Sequence, residues 1–268
     1  PYTTLFRSDC PQLKASGMSK DVEKIFKIKE EGLAHIDSDN LKIICPSKWV
    51  MKESSKSKLL GRFEHIHISH GVDTSSFRLK DKLVCREKLN LDKKGKIVLF
   101  VSDSVADVRK GMPLLIRSLK NVEVEDLVLI SVGNESADSY ISDLREKVEY
   151  RHLGFIKDNN TLSDIYNSAD VFVTTSMAES FGFTIAESLC CGTPVIAFET
   201  TAITEKIDDS RNGYLVKFLD KKDLSYKINH FFMKGVELTK KKISEDAFDK
   251  YNQKKMIDSY IRAYLRIK

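Results

Sequence analysis

The feature that most constrains this chain is an alternation. Short apolar runs recur at Lys42 to Cys45, His65 to Ser69, Ile97 to Ser102, Leu127 to Val132, Val171 to Thr175, Val195 to Phe198 and Tyr214 to Lys217. From residue 97 onward they alternate with amphipathic helical patterns at Pro113 to Leu119, Ala137 to Val148, Leu162 to Asn167 and Ile185 to Cys190. Runs that are apolar on both sides of a strand need cover on both faces. Helices between successive strands return the chain so that the strands lie parallel. The expected class is α/β, with a parallel sheet covered by helices on both faces. Ser244 to Lys268 carries apolar residues at Phe248, Met256, Tyr260, Ile261 and Tyr264, and reads as a long helix with one apolar stripe.

Within this alternation the stretch from Glu179 to Ala197 carries the chemistry. Glu179 and Glu187 flank seven residues, and a Phe181-Gly182 turn sits just after the first. The apolar segment that follows ends at Gly192, and Thr193-Pro194 lead into the run Val195 to Phe198. A buried strand after a helix whose start carries an acid and a glycine is the layout of a phosphate- and sugar-binding edge.

The segment closely resembles the donor-site signature of the retaining GT-B glycosyltransferases of family 4, E-x-F-G-x(4)-E-A…G-x-P-V, with Ser188 in place of the small Ala. Four further segments resemble the same family in order along the chain. Arg109-Lys110-Gly111 is similar to its diphosphate-binding R-K-G. His70-Gly71-Val72-Asp73-Thr74 with Phe77 is similar to its N-G-V-D-T…F, with His for Asn. His152-Leu153-Gly154-Phe155, Leu162, Tyr166 and Ala169 to Val173 follow its h-x-G…L…Y…A-D-V-F-V, and Asn212 to Val216 its N-G-x-L-V. Five ordered segments make the resemblance specific.

It implies a GT-B type, Rossmann-like donor half and a division of the chain. Residues 63–245 are expected to be the donor nucleotide-sugar-binding domain and residues 246–268 a C-terminal crossover helix. Residues 9–62 match only the tail of the N-terminal acceptor domain, with Cys10 to Leu13 and Ile44 to Trp49. Residues 1–8 resemble translated adapter sequence and are set apart as non-native. The expectation is a truncated acceptor domain and a chain inactive by itself.

The resemblance also assigns roles. Glu187 is expected to accept both hydroxyls of a nucleotide ribose. The local alternative is a capping box, Thr184-Ile185-Ala186-Glu187, in which Glu187 reaches back to the cap amide. Glu179 is expected to contact the donor sugar and act in the transfer step, the alternative being a solvated loop acid. Gly182 permits close backbone approach, or simply makes a tight turn. The amides around Phe181, Gly182, Phe183 and Thr184 are candidate donors to sugar or phosphate.

Lys110 offers a positive charge to the leaving diphosphate, and Gly111 with Met112-Pro113 adds free amides. Arg109 either helps there or faces solvent. The family's second arginine, about five residues earlier, is absent, because that region reads Asp103-Ser104-Val105. The loop Glu199 to Glu205 likewise lacks the family's glycine pair. Gly133, Gly154 and Phe155 are candidate walls for the base, Phe155 being equally a core candidate.

Composition narrows the partners. A net charge of +5 suits a nucleoside diphosphate or an anionic membrane face, or reflects a lysine-rich solvated surface. No run approaches the roughly 18 apolar residues of a membrane helix. Five cysteines, at Cys10, Cys45, Cys85, Cys190 and Cys191, form neither a zinc pair nor a disulfide framework and suit a reducing compartment. The expected location is therefore cytoplasmic, with peripheral contact at the inner face of a membrane. Asp37-Ser38-Asp39 matches a D-x-D metal motif but precedes a strand, so it reads as loop and helix-end chemistry. His65 and His67 alternate along the strand-like run with His70 nearby, a possible metal face set aside because the trio falls on the interdomain strand.

The implied function is that of a retaining, metal-independent, hexosyltransferase-type enzyme. It would move a sugar from a nucleoside diphosphate sugar to a glycan or lipid-linked acceptor in cell-surface polysaccharide synthesis, with no cofactor, no metal and no nucleic acid. The rivals are a GT-B-fold nucleotide-sugar epimerase and a non-catalytic nucleotide-sugar-binding fragment.

Overall fold

The computed structural model describes residues 21–144 and 147–265, and the expectations for residues 1–8 and for 9–20, Cys10 included, lie outside them. The described residues fall into two units, residues 21–68 with 259–265, and residues 69–258.

The first unit holds α1 (Asp21–Ala34), β1 (Lys42–Cys45), α2 (Lys48–Ser55) and β2 (Glu64–His67). β1 and β2 pair in parallel, Ile43 opposite His65 and Cys45 opposite His67. Ser47 caps α2, its Oγ accepting from the Val50 amide at 3.1 Å. The Asp37 to Asp39 triplet is helix-end chemistry: Asp37 caps a short 3-10 turn, Ser38–Asn40, and accepts from the Asp39 amide at 3.2 Å. The ring of His65 is engaged by the Phe63 carbonyl at 2.8 Å and the Ser54 hydroxyl at 2.9 Å.

The second unit runs α3 (Lys82–Lys88), β3 (Lys96–Ser104), α4 (Met112–Leu119), β4 (Leu127–Asn134), α5 (Asp138–Ile141), β5 (Glu149–His152), α6 (Asn159–Ser168), β6 (Val171–Thr174), α7 (Phe183–Cys190), β7 (Val195–Phe198), β8 (Gly213–Val216), α8 (Lys221–Lys234) and α9 (Lys240–Tyr251), and it takes the start of α10 (Gln253–Leu265), whose end from residue 259 belongs to the first unit. Among the described residues six strands form one parallel sheet in the order β5-β4-β3-β6-β7-β8. Successive residues of a strand feed opposite cores, as the period of two requires. Leu99, Ile130, Phe172 and Ala197 pack with Ile165, Ile185, Leu189 and Ile243, from α6, α7 and α9. Val98, Leu129, Val173 and Ile196 pack with Leu115, Ile116, Leu224 and Ile228, from α4 and α8. The α/β class and the doubly covered parallel sheet are as the alternation implies.

Three local expectations change. β5 was invisible as an apolar run, because Glu-Tyr-Arg-His is an edge strand with one paired side and half-buried or exposed residues. The helix expected from Ala137 to Val148 is short: α5 tightens into a 3-10 turn at Ser142–Leu144, where serine competes poorly for helix interior. The long helix expected from Ser244 is broken at Asn252. That residue is extended (φ −62°, ψ 124°), bridges Val72, and accepts from the Lys254 amide at 2.8 Å, so it ends α9 and caps α10.

A buried guanidinium ties the start of the sheet together. Arg86 of α3, 2% exposed, donates to the Ser168 carbonyl at 2.9 Å, the Lys93 carbonyl at 2.8 Å and the Asp170 carboxylate at 2.9 Å. Asp170 in turn accepts the Ile97 amide at 2.7 Å, which opens β3. Removing Arg86 leaves the Ser168 and Lys93 carbonyls without this donor and Asp170 with Lys82 as its one remaining ion-pair partner among the described residues. Arg86→Met is therefore expected to destabilise the fold by about 3 kcal/mol. Urea denaturation checks this, and a loss too small to resolve would mean that the network is dispensable.

Candidate functional site

The strand order reverses between β3 and β6, and in open parallel sheets ligands settle outside the carboxyl ends of the strands at such a switch point. The loops leaving these two strands are laced together. The Thr175 hydroxyl donates to the Lys110 carbonyl at 3.0 Å, and the Met177 amide donates to the Arg109 carbonyl at 2.9 Å. Gly111, at φ +80°, lies so close that a Cβ there would stand 2.4 Å from the Thr175 carbonyl oxygen. Only glycine satisfies both the left-handed backbone and that approach.

This lacing brings two of the expected residues into contact. Lys110 Nζ meets Glu179 Oε1 at 2.7 Å, although they are 69 residues apart. The same carboxylate oxygen accepts from the Ser176 hydroxyl at 2.7 Å, and the Glu179 amide donates to Thr201 Oγ1 at 2.9 Å. Glu179 is thus held from side chain and backbone, rather than a free loop acid. Thr201 belongs to the loop that lacks the expected glycine pair, and its hydroxyl positions the acid instead.

Beside this pair lies a cavity of about 370 Å³. Gly133, Phe155, Phe183, Thr184 and Glu187 line it, together with Ser102 and Asp103. The rings of Phe155 and Phe183 are both exposed, so Phe155 is not a core residue. Gly182, at φ +81°, starts α7 without any side-chain cap, so the first amides of α7 have no intrahelical or side-chain partner. The helix therefore starts before Thr184, and Glu187 lies too far inside it for a capping box. Its carboxylate instead accepts from the Tyr166 hydroxyl at 3.0 Å. Burial pushes the Glu187 pKa up to about 7, with Asp103 adding and the Tyr166 hydrogen bond opposing.

The remaining expected residues are placed differently. Arg109 is exposed and forms a local pair with Asp107 at 2.8 Å, facing solvent rather than the Lys110–Glu179 pair. The ring of Phe181 is buried, with Lys206 over its face. Gly154 sits behind the cavity wall, its carbonyl accepting the Gly133 amide at 3.0 Å. His70 stacks on Phe183, ring centroids 5.2 Å apart, and meets the edge of Phe181 at 5.1 Å. Sequence reading missed Ser176, Thr201 and Tyr166 as the groups that hold the two acids. The available signal was the polar Thr174-Thr175-Ser176 ending an otherwise apolar strand.

The family model described as glycosyl transferases group 1 matches residues 81–254. The chain is 31% identical over 163 residues to a D-inositol 3-phosphate glycosyltransferase 2 of Catenulispora acidiphila, a match covering 56% of this chain and 38% of that protein. Among solved structures, sucrose-phosphate synthase of Thermosynechococcus elongatus superposes with a TM-score of 0.77 at 21% identity, covering 97% of this chain and 66% of that one. The Anabaena protein HepE, in complex with UDP and glucose, superposes with a TM-score of 0.71 at 18% identity, covering 90% of this chain and 66% of that one. These structures share the GT-B type fold. The chain spans less than half the length of the curated relatives it matches.

The raised Glu187 pKa has a thermodynamic consequence. Between its ordinary value of 4.5 and about 7 the folded protein holds a proton that the unfolded chain has shed. Its contribution to stability is complete below the lower value and is lost as pH rises through the upper one. From about pH 5 to about pH 8, the unfolding free energy of the wild type should fall, relative to Glu187→Gln, by on the order of 2 kcal/mol. Urea titrations of both proteins at the two pH values measure this, and parallel behaviour would show that the carboxyl is not buried in the cavity as described.

Proposed function

The chain belongs to the glycosyl transferases group 1 family, and on that premise we propose that it supplies the donor-binding half of a retaining, metal-independent glycosyltransferase that uses a nucleoside diphosphate sugar. The observation that carries this reading is the continuity of three features. These are the cavity closed by Glu187, the uncapped amides that open α7, and the Lys110–Glu179 pair at the switch point.

In this reading the nucleoside occupies the cavity between Phe155 and Phe183, and its ribose hydroxyls donate to Glu187. The diphosphate lies over the α7 amides, where unpaired N–H groups and the helix dipole favour negative charge. Lys110 reaches the distal phosphate. Breaking the sugar–phosphate bond leaves negative charge on that phosphate, and a cation already aimed there stabilises the charge as it develops. Glu179 faces the sugar and, by pairing with Lys110, holds the ammonium in place before the donor arrives.

UDP is the first nucleotide to test, because HepE holds UDP in its structure. The acceptor proposed is a glycan or a lipid-linked sugar or polyol, in keeping with relatives named for inositol phosphate and phosphatidyl-inositol. Work at the cytoplasmic face of an anionic membrane, in cell-surface polysaccharide synthesis, is part of the same proposal and suits the net charge of +5.

Calorimetry with UDP and uridine tests the assignment. Lys110→Ala should weaken UDP binding by roughly tenfold or more, the scale of one charge-assisted hydrogen bond, and leave uridine almost unaffected. The difference should shrink at high salt. Equal losses for UDP and uridine would place Lys110 in the folding of the site instead.

The two glutamates should part company. Glu187→Gln replaces one of the two carboxylate oxygens that accept the ribose hydroxyls with an NH2 donor and should weaken both ligands by about 1–3 kcal/mol. Glu179→Gln should leave UDP affinity unchanged or slightly tighter, since Lys110 loses a competing partner, while turnover of a sugar donor falls strongly. If Glu179→Gln costs as much UDP affinity as Glu187→Gln, the division of roles is wrong.

A further inference from the structure

On the other side of Phe181 lies a second cavity, of about 330 Å³, that the donor reading does not use. Its walls include Leu189, Lys206, Arg211, Ile243, Lys250 and Tyr251, and none of these lines the cavity that holds Glu187. Two polar groups here are anomalous. Lys206 is 6% exposed, yet among the described residues its ammonium has neither an ion pair nor a hydrogen bond. It lies 3.5 Å from the centroid of the Phe181 ring and 4.8 Å from that of Tyr251. The Tyr251 hydroxyl is the one buried side-chain polar atom without a partner among the described residues. A largely buried cation that lacks an ion pair, and a buried hydroxyl that lacks a partner, would each gain from a ligand with acceptor atoms.

We propose that this cavity is a binding site for a small phosphate-bearing molecule, separate from the donor site. Three cations, Lys206, Arg211 and Lys250, face three acids, Glu205, Asp208 and Asp246, on its walls, and the case for an anion rests on Lys206. Of the three acids, Asp208 is paired with Arg211 at 2.7 Å, Asp246 is paired with Lys242 at 2.7 Å, and Glu205 is the chain neighbour of Lys206. Lys250 Nζ donates to the Glu205 backbone carbonyl at 2.7 Å. Lys206 remains as the cation on this wall with neither an ion pair nor a hydrogen bond among the described residues, Arg211 being already paired with Asp208. Burial lowers the Lys206 pKa to about 7, with Lys250 adding to the effect and Glu205 opposing it. A bound phosphate restores the charged form by supplying the counter-charge. The volume falls at the lower end of the range for small-ligand pockets, roughly 300–1,000 Å³.

Thermal-shift and calorimetric titrations with inorganic phosphate, at ionic strength held constant with chloride and with acetate as a control anion, test the proposal. Phosphate should stabilise the wild type saturably, and Lys110→Ala equally, because Lys110 belongs to the donor site. Lys206→Met, which fills the same space without charge, should weaken the effect by about tenfold or abolish it. Tyr251→Phe should weaken it severalfold. No saturable effect in the wild type, an equal response to acetate, or a response lost in Lys110→Ala and kept in Lys206→Met would overturn the proposal. Should Lys206→Met fail to fold, crystals of the wild type soaked in selenate decide. An anomalous peak within hydrogen-bond distance of Lys206 Nζ supports the site, and peaks only at Lys110 overturn it.

Discussion

β3 and β6 run side by side for two paired positions, Val98 with Val171 and Leu99 with Phe172, at the point where the strand order reverses. Parallel strands that diverge at a switch point leave a crevice. Everything of chemical interest in the larger unit depends on how that crevice is closed at its base. Gly111 pressed against the Thr175 carbonyl closes it, and the Lys110 and Arg109 carbonyls accept from the 175–177 segment. The Lys110–Glu179 pair then spans the mouth. Both side chains are partly exposed, so this pair adds little stability. What it contributes is orientation, a cation and an acid held at 2.7 Å where a diphosphate and a sugar are proposed to meet.

The turn from Glu179 to Phe183 separates two environments that perturb charge in opposite directions. On one side Glu187 is pushed up to about 7, and on the other Lys206 is pushed down to about 7. The cause is the same in both, since removal from water disfavours the charged form. Their partners differ. Glu187 has a hydroxyl donor in Tyr166, whereas Lys206 has only aromatic faces. Strongly shifted groups concentrate at functional sites, and here they occupy two distinct cavities joined by one aromatic turn. His70 stacks on Phe183, which lines the Glu187 cavity, and Lys206, on the wall of the other, lies over Phe181.

Much of this was legible along the chain, and for an identifiable reason. The apolar runs at 97–102, 127–132, 171–175 and 195–198 had to be strands covered on both faces, and the helices between them had to return the chain in parallel. Period and burial are local properties, so they survive in the sequence. Glu179, Gly182 and Glu187 could be picked out because a glycine-started helix and its flanking acids lie within nine consecutive residues. The edge strand Glu149–His152 escaped because half its environment is solvent, which erases the apolar run.

What the tertiary structure alone decided is which polar group each acid or cation meets. Lys110 pairs with a residue 69 positions away, Glu187 with a tyrosine on the preceding helix, and Glu179 with a threonine from a loop that had looked merely defective. Arg109, adjacent to Lys110 and equal to it in charge, turns to Asp107 and solvent. Lys206 reads in sequence as one more surface lysine, and only the packing of Phe181 and Tyr251 around it makes it a buried cation. A local pattern records whether a side chain is sheltered from water. The identity of its partner depends on which distant segments the strand order brings to the same edge, and that order is set by the whole core at once.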